Sequence, residues 1–216
     1  MDKTTVQKAI VELKKNSKKR KFSQSFDLIV CLQDLNMKNP DDQVEFFAPL
    51  HYEFGKKIRI CAFTGPELHE QAKIACDMTV PQANFGDYSN KVKAKKLAAE
   101  YDYFIAQANI MPKVAGAFGR VLGPRGKMPN PKAGCIVPGN ANLKPLAERL
   151  QKTVKVTAKK IPVVQLLVGK ENQAEEEVID NITTLYQAII HHLPKEKNNI
   201  KNIYLKLTMS KPIKLM

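Results

Sequence analysis

Long apolar runs are missing from this 216-residue sequence: no stretch reaches the roughly 18 residues that a membrane-crossing helix needs. The opening residues, MDKTTVQKAI, also lack the apolar core of a secretory signal, so a cytoplasmic chain with no membrane partner is expected. Cysteine is sparse and poorly placed for chemistry. Cys31, Cys61, Cys76 and Cys135 form no CxxC pair, and His51, His69, His191 and His192 do not stand at ligand spacing around them. Free buried thiols in a reducing compartment are expected, with no metal and no disulfide.

Catalytic signatures are absent as well. Gly116, Gly119, Gly123 and Gly126 are spaced 3, 4 and 3, which is not the GxGxxG of a dinucleotide site. Gly126-Lys127 resembles the end of a phosphate loop, but Val121 stands where its first glycine should be. Met128 replaces the Ser or Thr that would hold magnesium. Neither GxSxG nor HExxH occurs, and no nucleophile–base set suggests itself. No cofactor and no enzymatic activity are expected.

The most informative shortage is of acid. Against 35 Lys and Arg there are 21 Asp and Glu, a net charge of +14. Such an excess favours a polyanion, nucleic acid first and an anionic surface second. The excess is spread along the chain: residues 1–61 hold 12 basic and 8 acidic side chains, residues 62–155 hold 14 and 7, and residues 156–216 hold 9 and 6. Its densest patch is KKNSKKRK (14–21), six basic residues in eight, a composition that a solvated helix end also has. Apolar residues make up 44%, ordinary for a folded protein, and the length suffices for one large or two small domains.

Hydrophobic periodicity supplies the elements. Val6, Ile10 and Leu13 recur at helical spacing, predicting a helix over about 4–16 with Thr4 or Thr5 as N-cap. In SFDLIVCLQDL, Phe26, Leu28, Val30 and Leu32 alternate with Ile29 and Cys31, which reads as a strand buried on both sides. Val44, Phe46, Ala48 and Leu50 predict a second strand folding back on the first. Strands at 58–63, 78–81 and 102–108 then alternate with helices at 66–75, 89–100, 110–118 and 142–154, the pattern of a mostly parallel α/β unit. The end reads strand (163–169), helix (175–193) and strand (202–209), with Glu175, Glu176 and Glu177 where the helix dipole favours acids.

Each flank, of about 60 residues, is marginal alone. Together they make one discontinuous α+β domain, 1–62 with 158–216, interrupted by an α/β insert, 63–157, hung on linkers near 62–65 and 154–160. Within the insert, Arg120, Arg125 and Lys127 lie on a Gly- and Pro-rich stretch that would present positive charge to RNA or serve as a structural turn.

RVLGPRGKMPNPKAG (120–134) closely resembles the signature of the universal ribosomal protein of the mobile stalk, the family numbered one in the large-subunit series. RKFSQSFDLIVCL (20–32), FIAQANIMP (104–112), NANLKPLAERLQKTV (140–154) and YLKLTM (204–209) match the same family in order, with wording closer to archaeal than to bacterial members. The resemblance implies a split α+β sandwich carrying the main RNA site and an inserted Rossmann-like three-layer α/β domain. It further implies binding to large-subunit rRNA within the large ribosomal subunit, contact with deacylated tRNA in the exit site, and repression of the protein's own mRNA. By position, the RNA-facing residues would be Lys21, Phe22, Ser25, Asp27, Gly169, Lys170, Thr208, Met209 and Ser210, with Arg120, Arg125 and Lys127 facing RNA or tRNA from the second domain. The chemistry is compatible: Phe22 can lie on sugar edges, Ser25 and Thr208 can pair with 2′-hydroxyls, and Lys21 and Lys170 can neutralise phosphates. The family usually has Gly where Ser210 stands, so either the backbone there is ordinary or the hydroxyl makes a contact of its own.

Overall fold

The computed structural model describes residues 2–39 and 42–216. The chain divides into two compact units, unit 1 being Met1–Lys56 with Lys152–Met216, and unit 2 being Lys57–Gln151.

Unit 1 begins with α1 (Lys3–Asn16), whose buried Val6, Ala9, Ile10 and Leu13 form one apolar stripe. Asp2 holds the N-cap position, so Thr4 and Thr5 lie inside the first turn rather than capping it. β1 (Ser25–Leu32) sits between two antiparallel neighbours, β8 (Val163–Lys170) and β9 (Ile200–Leu207), and the short β10 (Ile213–Lys214) borders β9. Phe26, Leu28, Val30 and Leu32 are buried toward α1 and α6 (Glu175–His192), which pack on each other. The alternate residues of β1, including Ile29 and Cys31, are only half-buried. Antiparallel pairing explains this departure from a strand covered on both sides: helices cover one face and the other stays partly wet.

β2 (Val44–Pro49) does not fold back on β1. It pairs antiparallel with β7 (Thr153–Ala158), Val44 opposite Ala158 and Pro49 opposite Thr153. Glu45 clips this ribbon, its carboxylate 3.0 Å from Lys155 and 2.7 Å from Lys159. Phe46 stacks on His192 at 3.7 Å between ring centroids, docking the ribbon on α6.

Unit 2 is a parallel four-stranded sheet in the order β4 (Met78–Pro81), β3 (Ile60–Thr64), β5 (Tyr103–Gln107), β6 (Ile136–Val137). β3 is buried at every position, as a parallel strand between two helical layers must be. α3 (Lys91–Glu100) and α4 (Met111–Leu122) cover one face, around a core of Phe63, Phe85, Phe104 and Phe118. α2 (His69–Ala75) packs with α5 (Leu143–Gln151) as the second layer. Unit 2 is thus a three-layer α/β unit and unit 1 an α+β sandwich. Residues 62–65 and 154–160, expected as linkers, belong largely to β3 and β7. The packing seams fall at 56/57 and 151/152, whereas seams at 62/63 and 157/158 would cut both strands.

Candidate nucleic-acid interface

Three strand ends meet on one rim of unit 1. β1 starts at Ser25, β8 ends at Lys170 directly opposite it, and β9 ends at Leu207 opposite Phe26. The chain then turns sharply. The Thr208 N–H donates to the Ser25 carbonyl at 3.1 Å, and the Ser25 N–H donates to the Thr208 hydroxyl at 3.0 Å. Within the turn, the Ser210 N–H reaches the Leu207 carbonyl at 3.1 Å. The Ser210 hydroxyl accepts from the Leu207 N–H at 2.8 Å and donates to the Lys211 carbonyl at 3.1 Å. Among described non-glycine residues only Asp34 and Glu196 have positive φ, so Ser210 has an ordinary backbone and its hydroxyl also holds the turn. This rim therefore brings together Ser25, Lys170, Thr208, Met209 and Ser210. Met209 is 59% exposed at its tip, and Phe22, three residues before β1, is 52% exposed; Lys21 beside it is exposed too.

The rim is built on a residue that motif reading passed over. Gln24 has 0% exposure, and its amide oxygen accepts from the Met209 N–H at 3.2 Å while its amide NH2 donates to the Ser17 hydroxyl at 2.8 Å. Its carbonyl takes the Glu171 N–H at 2.9 Å. Gln24 thus ties the end of α1, the segment after β8 and the turn after β9 together. One signal was available: Gln24 is in phase with Phe26, Leu28 and Val30, and a polar residue in the inward register must find partners.

Gly169 and Asp27 have other surroundings. Gly169 is buried, and a Cβ there would come within 2.8 Å of Val178 and 2.9 Å of the Gln173 amide oxygen, so its smallness serves packing against α6. The same Gln173 oxygen accepts the Lys170 N–H at 2.8 Å, fixing that residue's backbone at the rim. Asp27 lies on the half-exposed sheet face, in a shallow cleft with Ile29, Gln165, Leu167 and its cross-strand neighbour Lys206. Burial raises the Asp27 carboxyl above its ordinary range, and the Lys206 charge pulls it partly back.

In unit 2 the three expected cations part company. Arg120 is an exposed residue of α4 rather than of a loop. Arg125 is exposed, with its guanidinium 3.2 Å from the Lys95 carbonyl. Lys127 turns inward: its ammonium donates to the Ala98 and Tyr101 carbonyls at 3.0 and 2.7 Å, closing the C-terminus of α3. Gly126 at φ 64° makes the turn that allows this.

A parallel sheet of this order would hold a nucleotide in the crevice where the connections diverge, beyond the ends of β3 and β5. At that crevice the chain bonds to itself. Buried Gln107 accepts from the Gly65 N–H at 3.0 Å and donates to Glu67 at 3.0 Å. Three cysteines are buried and Cys31 is half-buried, all four free; burial pushes the Cys76 and Cys135 thiols up to about 11, far from the thiolate a nucleophile needs.

A strongly basic, two-unit α/β chain with a polar rim at the end of an open sheet has the make-up of an RNA-binding protein. Comparison with known proteins narrows it: the model of the ribosomal protein L1p/L10e family matches residues 13–211, and the chain belongs to that family. It is similar to the large ribosomal subunit proteins uL1 of Methanocaldococcus jannaschii, 36% identical over 100% of this chain and 96% of that one, and of Methanothermococcus thermolithotrophicus, 38% identical over 100% and 99%. The corresponding protein of Methanobrevibacter smithii is 38% identical over 98% of each chain. The chain is a structural, RNA-binding constituent of the large subunit of the cytoplasmic ribosome, not an enzyme.

Proposed function

We propose that the rim of unit 1 grips large-subunit rRNA, and that the chain so bound forms the mobile stalk that assists release of deacylated tRNA from the exit site. The observation that carries the reading is the convergence of Ser25, Lys170, Thr208, Met209 and Ser210, with Lys21 and Phe22 just upstream. Exposed hydroxyls and backbone groups read the RNA-specific 2′-OH, the lysines hold phosphate, and Phe22 and Met209 offer apolar surface to sugars and bases. Asp27 and Gly169 support the rim from behind, through the sheet face and the α6 packing. In unit 2, the exposed Arg120 and Arg125 meet tRNA, while Lys127 serves α3. An mRNA folded like the rRNA site would compete for the same rim, which makes the chain a repressor of its own message.

The test compares a stalk rRNA junction with random duplex RNA of equal length at one salt concentration. The junction should win clearly; equal affinities would sink the reading. Thr208→Val should weaken junction binding by about 1–3 kcal/mol, because a hydroxyl bonded both to Ser25 and to RNA is lost. A melting curve within a few degrees of the parent would assign that loss to the interface.

A further inference from the structure

We propose that unit 2 carries its own single-stranded RNA site, in the cleft between the first turn of α3 and the exposed face of α4, where one unpaired nucleotide stacks on Tyr88 with its phosphates held by Lys91 and Arg120. The proposal rests on the reading of the chain as an RNA-binding protein and concerns a different surface from the rim.

Tyr88, Lys91 and Arg120 line this cleft together with Gly116 and Ala117, and no acidic residue does. The nearest acids line the adjoining groove, which shares Tyr88 with this cleft: Asp87 stands there with Lys93, Lys96 and Glu100, and Glu100 pairs with Arg59 at 2.9 Å. Lys91 and Arg120 are exposed, and among the described residues neither has an ion-pair partner. Arg125, folded onto the Lys95 carbonyl, brings further positive charge to the same helix.

The start of α3 runs against helix electrostatics. Its first turn contains Lys91 and Lys93 and no acid, although the positive end of the helix dipole disfavours cations there. A bound anion would reverse that penalty. Gly116 is likewise a poor choice for stability, since a glycine at an exposed position inside a helix is less favourable than alanine. Nothing lies within 4 Å of where its Cβ would be, so internal packing does not require it. It leaves an open floor beside the Tyr88 ring. That ring is braced against the core, 5.3 Å from Phe118 between centroids, and so forms a rigid platform on which any base can stack. An acidic peptide would use the two cations and leave both the ring and the floor unfilled.

The full chain is titrated with a fluorescent ten-nucleotide single-stranded RNA of mixed sequence, read by anisotropy, and the same RNA carrying 4-thiouridine is photocrosslinked. Lys91→Gln with Arg120→Gln should weaken binding by about tenfold or more. Gly116→Leu changes no charge and favours the helix, yet should weaken binding by about fivefold or more by filling the stacking space. Crosslinks should fall between residues 88 and 121. Junction affinity should survive these variants, and Thr208→Val should spare oligonucleotide binding, so failure of the rim and failure of the cleft give different patterns. The cleft is overturned if the parent chain does not bind the oligonucleotide, if Gly116→Leu binds at full strength, as a diffuse cationic surface would, or if crosslinks map elsewhere. Displacement of the RNA by oligoglutamate at equal charge concentration would instead mark an acidic-peptide surface.

Discussion

Gln24 is fully buried, yet its amide and its carbonyl are satisfied by groups from three separate segments. Gln24→Leu would keep the volume and strand the Ser17 hydroxyl and the Met209 N–H. Each stranded group costs about 1–3 kcal/mol if it stays dry. The expected result is a chain destabilised by roughly 2 kcal/mol whose junction affinity falls further than Thr208→Val alone produces, because the whole turn loosens. Paired melting and binding titrations would check this, and unchanged affinity would remove Gln24 from the positioning of the rim. Asp27 makes a pH-dependent counterpart. Its carboxyl titrates above its ordinary range because burial penalises the charge, so its ionisation lowers stability as pH rises through that raised value. Asp27→Asn should therefore melt higher than the parent at neutral pH, with the gain vanishing once pH falls below the ordinary aspartate range. A gain that persists in acid would point to packing instead.

At the scale of elements, helices were the most legible features, since their 3.6-residue stripes are local: α1 and α6 lie within a residue or two of where Val6–Leu13 and Val178–Ile189 put them. Strand positions were readable too, but not their partners. Nothing in Val44–Leu50 says that it pairs with 153–158 rather than with β1. The two-residue strands β6 and β10 and the 3-10 segment Gln82–Ser89 are too short to show a period. α4 extends to Leu122 and so takes in Gly119 and Arg120, which lie beyond the helix expected at 110–118. Helix α3 shows how a distant residue completes an element. Its last carbonyls face the Lys127 ammonium, and Lys127→Met should destabilise unit 2 by about 1–2 kcal/mol. Amide exchange in α3 should accelerate while binding of the rRNA junction stays put. An effect on that binding with α3 unchanged would return Lys127 to the RNA-facing set.

For the molecule as a whole, charge is shared evenly. Unit 1 has 21 basic and 14 acidic residues and unit 2 has 14 and 7, a net +7 each. Both units are thus equipped to meet RNA, in keeping with two separate surfaces. Pro49 and Thr153 are paired neighbours on β2 and β7, so a short glycine linker joining Lys56 to Lys152 spans a small gap within unit 1. The resulting chain should fold and bind the junction within about threefold of the parent, since none of the rim residues lies in the excised part and only its diffuse charge is lost. A large loss would bring unit 2 into the primary site.

Composition and local pattern alone determined the class of partner, the absence of catalytic motifs, the positions of the long helices and strands, and, through LGPRGKMPNP and its companion stretches, the family. These follow from charge balance, short-range periodicity and residue order, all local properties of the chain. Tertiary structure decided what depends on contacts across more than a hundred residues. Ser25 meets Thr208, Gln24 holds the Met209 turn, and β2 finds β7. It also decided that Lys127 closes a helix while Arg120, seven residues earlier, stands open beside Tyr88. Hydrogen bonds between distant segments leave no periodicity behind, and a lysine's reach toward solvent or toward a helix end is settled only when both ends of that reach have been folded into place.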